Sequence, residues 1–177
     1  MAAAIVCAIA PALGAGSYPL TLTVDAKASS AAAAVTSTVK IHVNRLMEEN
    51  RRKRVTDALT YSGYQNFLNA LRALPPIGTI ELQARSVEIR YATEEEQAGA
   101  RRLVLVADRP LFFLSTDPAK ARAGFELTMV ELNVDKDGGV TGRMMGAARV
   151  KPSPTGIVLD DFAEAPVALS SPKPRQP

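Results

Sequence analysis

Residues Val55–Leu74, which read VTDALTYSGYQNFLNALRAL, decide the fold class of this chain. Apolar residues recur in this stretch at spacings of three and four, the period of an α-helix with one buried face. Gly63 stands where a first helix would end, and Pro75-Pro76 stops a second one because no helix continues through them. The stretch therefore predicts two helices, Glu48–Ser62 and Tyr64–Leu74, that form a pair and cover the face of a sheet.

On both sides of the helix pair the sequence alternates with a period of two, the pattern of half-buried strands. Leu20–Asp25 and Val39–Asn44 alternate before the helices, and Val87–Tyr91 alternates after them. Leu103–Ala107 is apolar throughout, so we expect a central strand that is covered on both faces. The sequence predicts a single α+β domain over residues 17–171: an antiparallel sheet of about six to eight strands with the helix pair packed on one face.

Further strand signals follow in the last third of the chain. In Phe125–Val134 the apolar residues switch from odd to even positions at Met129, which predicts a β-bulge there. Asp135–Gly139 has the composition of a hairpin turn. Gly146–Val150 and Ile157–Phe162 are predicted as later strands.

The N-terminal residues have the pattern of a secretory signal. No charged residue precedes Asp25, and residues 2–13 form a run of small apolar side chains that small residues at 14–16 follow. The run is too short to span a membrane. A signal usually carries Lys or Arg before its apolar run, and none is present here, so a buried N-terminal helix or strand is the alternative. We expect residues 1–16 to be a signal segment that is removed on export.

Removal of that segment would leave a mature chain with no cysteine, since Cys7 is the single one. Disulfides, zinc–thiolate sites and a thiol nucleophile would then be excluded. We expect no transmembrane segment in the mature chain. The proline-rich residues 172–177 predict a mobile tail.

The overall composition narrows the range of partners. Hydrophobic residues make up 47% of the chain and charged residues 22%, which excludes a wholly disordered protein. Aromatic residues make up only 5%, which argues against a large ligand groove built on them. The net charge of +3 is too small to indicate a nucleic-acid partner, and we expect none.

Patterns that resemble metal, cofactor or catalytic sites have simpler interpretations. His42 is the single histidine and falls on the polar face of a strand, which excludes a two-histidine metal site. Asn133–Gly138 opens like a calcium loop, but Met144 stands where the closing glutamate belongs, so a hairpin turn is favoured. No nucleophile elbow, phosphate-binding glycine loop or dinucleotide fingerprint is present. We therefore predict no catalytic residue, metal ligand or cofactor.

Two runs of charge are interpreted as solvated surface. Arg51–Arg54 resembles a binding patch for nucleic acid or phospholipid, but Glu48 and Glu49 lie four residues before Arg52 and Lys53, which favours ion pairs within a helix. Glu94–Glu96 is predicted to lie in a solvated turn, because exposed neighbouring carboxylates do not separate their pKa values as acid–base catalysis requires.

The candidate binding residues bracket the apolar stretch Leu103–Ala107. They are Arg101 and Arg102 on one side and Asp108 and Arg109 on the other. Residues at the ends of a rigid central strand are well placed to present charge at the rim of a sheet. An ion pair between Asp108 and Arg102 or Arg109 is one expectation. The alternative is that these residues only end the strand and keep its ends soluble.

A set of short motifs is spread over most of the chain beyond Met47. They are Arg54–Leu59 with Gly63–Gln65, Leu71–Pro75 with Gly78, Arg90–Ala92, Arg101–Pro110, Phe125–Thr128 with Asp137-Gly138, and Leu159–Ala163 with Pro166-Val167. In these motifs the chain resembles a family of exported bacterial proteins, of the acidobacterial type, that has no assigned function. The resemblance implies one exported domain and implies no reaction, cofactor or catalytic residue.

Two hypotheses of different class follow for the function. The first is a non-enzymatic binding or interaction module of the cell envelope, with an envelope protein or a small molecule as its partner. The second is a small hydrolase or isomerase whose site is assembled from carboxylate, tyrosine and arginine side chains that lie apart in the sequence. A deep pocket with two close carboxylates would favour the enzyme, and a shallow surface would favour the module.

Overall fold

The computed structural model describes residues 17–29, 34–97, 99–114 and 122–171. The predicted signal segment, residues 1–16, and the predicted tail, residues 172–177, lie outside the described residues. Within them the chain forms nine strands and two helices, which are β1 (Leu20–Ser29), β2 (Ala34–Val43), α1 (Glu49–Tyr61), α2 (Tyr64–Arg72), β3 (Gly78–Leu82), β4 (Arg85–Gln97), β5 (Ala100–Ala107), β6 (Leu127–Val134), β7 (Val140–Ser153), β8 (Gly156–Phe162) and β9 (Val167–Ser170).

The strands form one antiparallel sheet that closes into a barrel. Neighbouring strands follow the order β6-β5-β4-β3-β2-β1-β9-β7-β8, and β6 also pairs with β7. The short strand β9 completes the ring because it pairs with β1 on one side and with the first part of β7 on the other. The second part of β7 pairs with β8 and forms a hairpin beside the ring. The predicted antiparallel sheet with a helix pair is confirmed. The closure of this sheet into a barrel was not predicted. In the described part of the chain the sheet has nine strands, whereas six to eight were expected.

The interior of the barrel is filled by small and aliphatic side chains from every strand of the ring. Alternate residues of each strand point inward, as the pleat requires. This interior cluster includes Val24, Val39, Ile41, Ile80, Leu82, Ile89, Leu103, Leu105, Val130, Leu132, Met144, Val167 and Leu169. Because these side chains are buried against one another, the inside of the barrel is a packed core.

The helix pair covers the outer face of the barrel over β4 to β8. Val55, Leu59, Phe67, Leu68 and Leu71 are the buried residues of the helices. They pack on outward-pointing side chains of the sheet, which include Tyr91, Val104, Val106, Leu127, Met129, Met145 and Ile157. Strand β5 is therefore covered on both faces, which confirms the prediction for Leu103–Ala107.

The same two-sided burial explains why apolar residues of β6 occupy both parities. Leu127 and Met129 point toward the helices, whereas Val130 and Leu132 point into the barrel. The predicted irregularity near Met129 is present between Leu127 and Met129, but it lies in the other strand: Leu127 pairs with Ala148 and Met129 with Met145, so the extra residue belongs to β7. The pattern needed no bulge in β6 because both faces of this strand are covered.

A bulge that was not predicted lies in β4. Ile89 pairs with Ala107 and Tyr91 with Val106, so Arg90 is the extra residue. Ile89 points into the barrel, and after the bulge Tyr91 points outward under the helices. The sequence pattern had placed both on one face. Among the described residues, no helix is long and apolar enough to cross a membrane.

Candidate functional site

The four candidate binding residues lie at opposite ends of β5. Arg101 and Arg102 are at its start, and Asp108 and Arg109 follow its last residue, Ala107. Six residues of extended chain separate Arg102 from Asp108, a distance of roughly 20 Å. The structure therefore does not bring the four residues together into one site.

Asp108 is buried and pairs with Arg90. The Arg90 Nε donates to Asp108 Oδ2 across 3.1 Å, and its other nitrogens contact the Leu74 carbonyl and the Glu88 carboxylate. Arg72 of α2 donates to the Asp108 carbonyl at 3.4 and 3.3 Å. The expected pairing of Asp108 with Arg102 or Arg109 is not what the structure contains. Asp108 instead ties the end of α2 to the sheet.

Arg102 belongs to a row of ion pairs across the outer face of four neighbouring strands. Its guanidinium lies 2.9 Å from Glu131 Oε1 and 3.8 Å from Glu95 Oε2. The other oxygen of Glu131 accepts from Arg143 Nε across 2.6 Å. A row of this kind fixes the register of the strands.

Arg101 lies at one end of the barrel and pairs with Glu94 at 3.2 Å. The Tyr18 hydroxyl donates to the same carboxylate across 2.6 Å. Burial first, and then this hydrogen bond, raise the pKa of Tyr18. Glu94–Glu96 lie within β4 and pair with β5, so the prediction of a solvated turn is wrong for this run. The two strands simply extend further than the pattern indicated.

Arg109 is exposed and takes part in no ion pair with another described residue. Its carbonyl accepts from the buried Thr128 Oγ1 across 2.9 Å. Its side chain borders a hollow of about 210 Å³ beside Val87, Leu111 and Phe112. Arg109 is thus the one member of the predicted set whose guanidinium is not used within the described fold.

Two other residues that the sequence analysis singled out are held by neighbours. His42 lies between Thr21 Oγ1 and Asn44 Oδ1, each 2.8 Å from a ring nitrogen. Asp135 Oδ1 accepts from the backbone N–H of Asp137 and Gly139 at 2.9 and 2.7 Å, which builds the predicted hairpin turn. In the described ranges no group of three or more His, Cys, Asp or Glu residues is arranged to hold a metal ion.

A cleft that combines charged and hydroxyl groups lies between α1 and the β7–β8 turn. Its volume is about 360 Å³. We call it the α1–hairpin cleft. It is lined by Glu49, Arg52, Lys53, Thr56, Asp57 and Thr60 of α1 and by Ser153, Pro154, Thr155 and Gly156 of the hairpin. The six helix residues recur at spacings of one and three, so they form one polar face of α1.

Arg52 fixes the two walls of the cleft to each other. Its Nη1 donates to the Thr155 carbonyl across 2.7 Å, and its Nε and Nη2 lie 2.9 and 2.5 Å from Glu49 Oε2. Lys53 pairs with Asp57 across 2.7 Å. Arg51, Arg52 and Lys53 thus form ion pairs with nearby carboxylates, as the interpretation of a solvated helix surface expects. The predicted partners are wrong: Arg52 pairs with Glu49 instead of Glu48, and Lys53 pairs with Asp57 instead of Glu49.

Thr56 Oγ1, Tyr91 OH and Ser153 Oγ are the buried side-chain polar atoms in the described part of the chain that have no hydrogen-bond partner. Thr56 and Ser153 line the α1–hairpin cleft. Tyr91 does not line the cleft; its fully buried hydroxyl lies behind Gly156, so closely that a Cβ there would overlap it. Buried hydroxyl groups are normally paired, so two unpaired ones in the lining of a single cleft and a third behind it mark the cleft as unusual.

The β4 bulge is what places Tyr91 behind this cleft. The side chain is fully buried, and burial raises the pKa of its hydroxyl. Thr93 and the Ile157 backbone are close enough to the Tyr91 hydroxyl to lower its pKa slightly. Neither of them meets the geometry of a hydrogen bond to that hydroxyl. Gly156 has φ 137°, a backbone conformation that other residues rarely adopt.

Sequence reasoning missed this cleft. The signal that would have revealed its helix wall is a polar stripe that runs beside the apolar stripe of Val55 and Leu59 on α1 and consists of Glu49, Arg52, Lys53, Thr56, Asp57 and Thr60. No local signal places Tyr91 or Ser153 there, because the bulge and the hairpin position depend on pairing between distant strands. No family model, curated protein or solved structure matches the chain.

Proposed function

We propose that this chain is a non-enzymatic binding module that acts in the cell envelope after export, with the α1–hairpin cleft as its binding site for a small polar molecule. The observation that carries the proposal is that Thr56 and Ser153, whose hydroxyls have no partner, line one cleft, with the unpartnered hydroxyl of Tyr91 buried behind it. Burying a polar group without a partner destabilises a protein. A ligand that bonds to such groups would recover that free energy on binding.

The charges of the cleft favour binding over catalysis. Glu49 is held by Arg52, and Asp57 is held by Lys53. Acid–base chemistry needs a group that is free to exchange a proton with the substrate. A carboxylate that is engaged by a neighbouring cation at an open surface is suited to orienting a ligand.

The cleft has a buried base and an exposed rim, an arrangement that suits recognition of a small molecule. The floor rests on the buried residues Val55 and Leu59 of α1 and on Tyr91 and Ile157 of the sheet. The rim consists of exposed residues at the β7–β8 turn, with Thr155 anchored by Arg52. Its volume of about 360 Å³ is in the range of small-molecule sites, about 300 to 1,000 Å³.

Support for the location comes from the sequence. The apolar run of residues 2–13 and the small residues that follow it have the pattern of a secretory signal. The resemblance to exported bacterial proteins agrees with that pattern. Fractionation of the native host followed by mass spectrometry tests this part: a mature N-terminus near Ser17 supports it, and full-length protein in the cytoplasm contradicts it.

The binding proposal is tested by NMR on the full-length protein with a panel of glucose, N-acetylglucosamine, glycine, glutamate and inorganic phosphate. A binder should shift the amide signals of residues 49–60 and 153–157 and should stay chemically unchanged. Its affinity should fall in the Thr56→Val variant and persist in Thr36→Val, which alters an exposed threonine on β2. The proposal is wrong if every binder in the panel maps to another surface, if none binds, or if a bound molecule is converted.

A further inference from the structure

The charges that line the α1–hairpin cleft cancel. Arg52 and Lys53 contribute two positive charges, and Glu49 and Asp57 contribute two negative ones. Each cation forms its ion pair inside this set. A small anion or cation would therefore meet no net attraction and would have to compete with an existing pair.

The remaining polar groups of the cleft are hydroxyls, which both donate and accept. Thr56 Oγ1 and Ser153 Oγ have no partner among the described residues. Thr60 Oγ1 donates to the Thr56 carbonyl across 2.8 Å, which leaves its lone pairs free to accept. A hydroxyl carries one donor and two acceptor positions. The best complement to this set is a ligand that itself carries several hydroxyl groups.

The Nε–Nη2 edge of the cleft arginine already holds the Glu49 carboxylate, so this edge is not free to bind a phosphate or carboxylate. All hydrogen bonds of Arg52 run to Glu49 and to the Thr155 carbonyl. Bidentate recognition of an anion needs two free N–H groups on one edge of the guanidinium. Arg52 instead holds the Glu49 carboxylate at the cleft, where an oxygen can accept from a ligand hydroxyl.

An apolar surface stands beside the polar groups. Pro154 is exposed at the rim and has no backbone donor. The faces of a sugar ring carry C–H groups, while its edge carries hydroxyls. Pro154 can contact the ring face while Thr56 and Ser153, after rotation about χ1, bond to the edge.

From these features we infer that the α1–hairpin cleft binds a neutral saccharide. The inference rests on the proposed binding function and adds the chemical class of its ligand. The carboxylates of Glu49 and Asp57 accept from sugar hydroxyls, and the hydroxyls of Thr56 and Ser153 gain the partners that the fold does not give them.

The test compares three ligands with one ring: glucose, glucose 6-phosphate and glucosamine, together with N-acetylglucosamine and its dimer as larger neutral sugars. Each is titrated into the full-length protein by NMR at low and at physiological ionic strength. A neutral sugar should bind at the cleft at least about tenfold more tightly than the charged analogues, and its affinity should not change with salt. Thr56→Val and Ser153→Ala should each weaken it about tenfold without lowering Tm, and Thr36→Val should leave it unchanged.

The failures of the two proposals are distinguishable. Tighter binding of glucose 6-phosphate, glucosamine or glutamate at residues 49–60 and 153–157 overturns the saccharide inference and leaves the binding function standing. Absence of any binding at these residues overturns both. Binding of a neutral sugar that is indifferent to Thr56→Val and Ser153→Ala overturns the inference as well, because the hydroxyls would then play no part.

Discussion

Arg90 and Asp108 form a buried ion pair with 3.1 Å between Nε and Oδ2, and Arg90 is the extra residue of the β4 bulge. The Arg90 side chain is 16% exposed and the Asp108 side chain 8% exposed. Arg90 also reaches the Leu74 carbonyl, and Arg72 reaches the Asp108 carbonyl, so the pair joins the end of α2 to the sheet. One irregularity in a strand thus anchors the helix pair that forms a wall of the cleft.

Asp108→Asn should lower the free energy of unfolding by about 2 kcal/mol, because the partly buried Arg90 guanidinium then keeps only the half-exposed Glu88 carboxylate as a counter-charge. Arg102→Gln is the comparison: Arg102 is more exposed, and Glu131 keeps Arg143 as a partner. We expect it to cost less than about 1 kcal/mol. Urea unfolding of both variants measures the difference. Equal losses would mean that the Arg90–Asp108 pair contributes nothing specific.

Gly156→Ala should destabilise the protein by about 2 to 4 kcal/mol, since the added Cβ overlaps the Tyr91 hydroxyl and the residue must keep φ 137°. In the Tyr91→Phe background the overlap disappears, because the ring carbon Cζ lies 3.5 Å from that Cβ position. The loss caused by Gly156→Ala should then shrink by at least about 1 kcal/mol. A thermal-unfolding cycle of the four proteins tests this, and strictly additive effects would show that Tyr91 is not in contact with Gly156.

Thr56→Val should stabilise the protein by about 1 kcal/mol, because it removes a buried hydroxyl that has no partner. Thr128→Val is the matched control. Thr128 is also a buried threonine, but its hydroxyl bonds to the Arg109 carbonyl at 2.9 Å, so its loss should destabilise by a similar amount. The two variants should shift the denaturation midpoint in opposite directions. A destabilising Thr56→Val would indicate that this hydroxyl is paired in solution.

Stability should decline above about pH 10 because of Tyr64. Burial first, and then the hydrogen bond to Glu126 at 3.0 Å, raise its pKa above the usual value near 10. Above pH 10 the unfolded chain loses this proton while the folded chain keeps it, so stability falls as pH rises; below about pH 9 both states keep the proton and the group has no effect.

The check is urea unfolding between about pH 8 and 11.5. Tyr64→Phe should make the alkaline decline less steep than in the parent protein. Tyr61→Phe, which changes a tyrosine that is 82% exposed, should leave the slope unaltered. If both variants have the parent slope, the Tyr64 proton is not held by the fold.

The sequence by itself determined the elements whose signal is local. Helix α1 ends before Gly63 and α2 ends before Pro75, because glycine favours a helix end and proline cannot continue a helix. The unbroken apolar run Leu103–Ala107 predicted burial on both faces of its strand. Period-two and helical patterns can be recognised without knowledge of the tertiary structure, since they reflect which face of each strand or helix is buried. The pattern could not indicate that the sheet closes, because closure depends on β9 pairing with β1, which lies about 140 residues earlier in the chain.

Only the tertiary structure decided the candidate site. Because Arg90 is an extra residue in β4, the Tyr91 side chain points toward the helices and not into the barrel interior. No local signal in the sequence marks a position where one strand has one more residue than its partner. Asp108 has its partner in Arg90, which lies on the neighbouring strand, instead of Arg102 or Arg109. The hydroxyls of Thr56, Tyr91 and Ser153 come from a helix, a strand and a hairpin that are distant in sequence. Their meeting depends on strand pairing and helix packing, which are set by the free energy of the whole fold and not by any one segment.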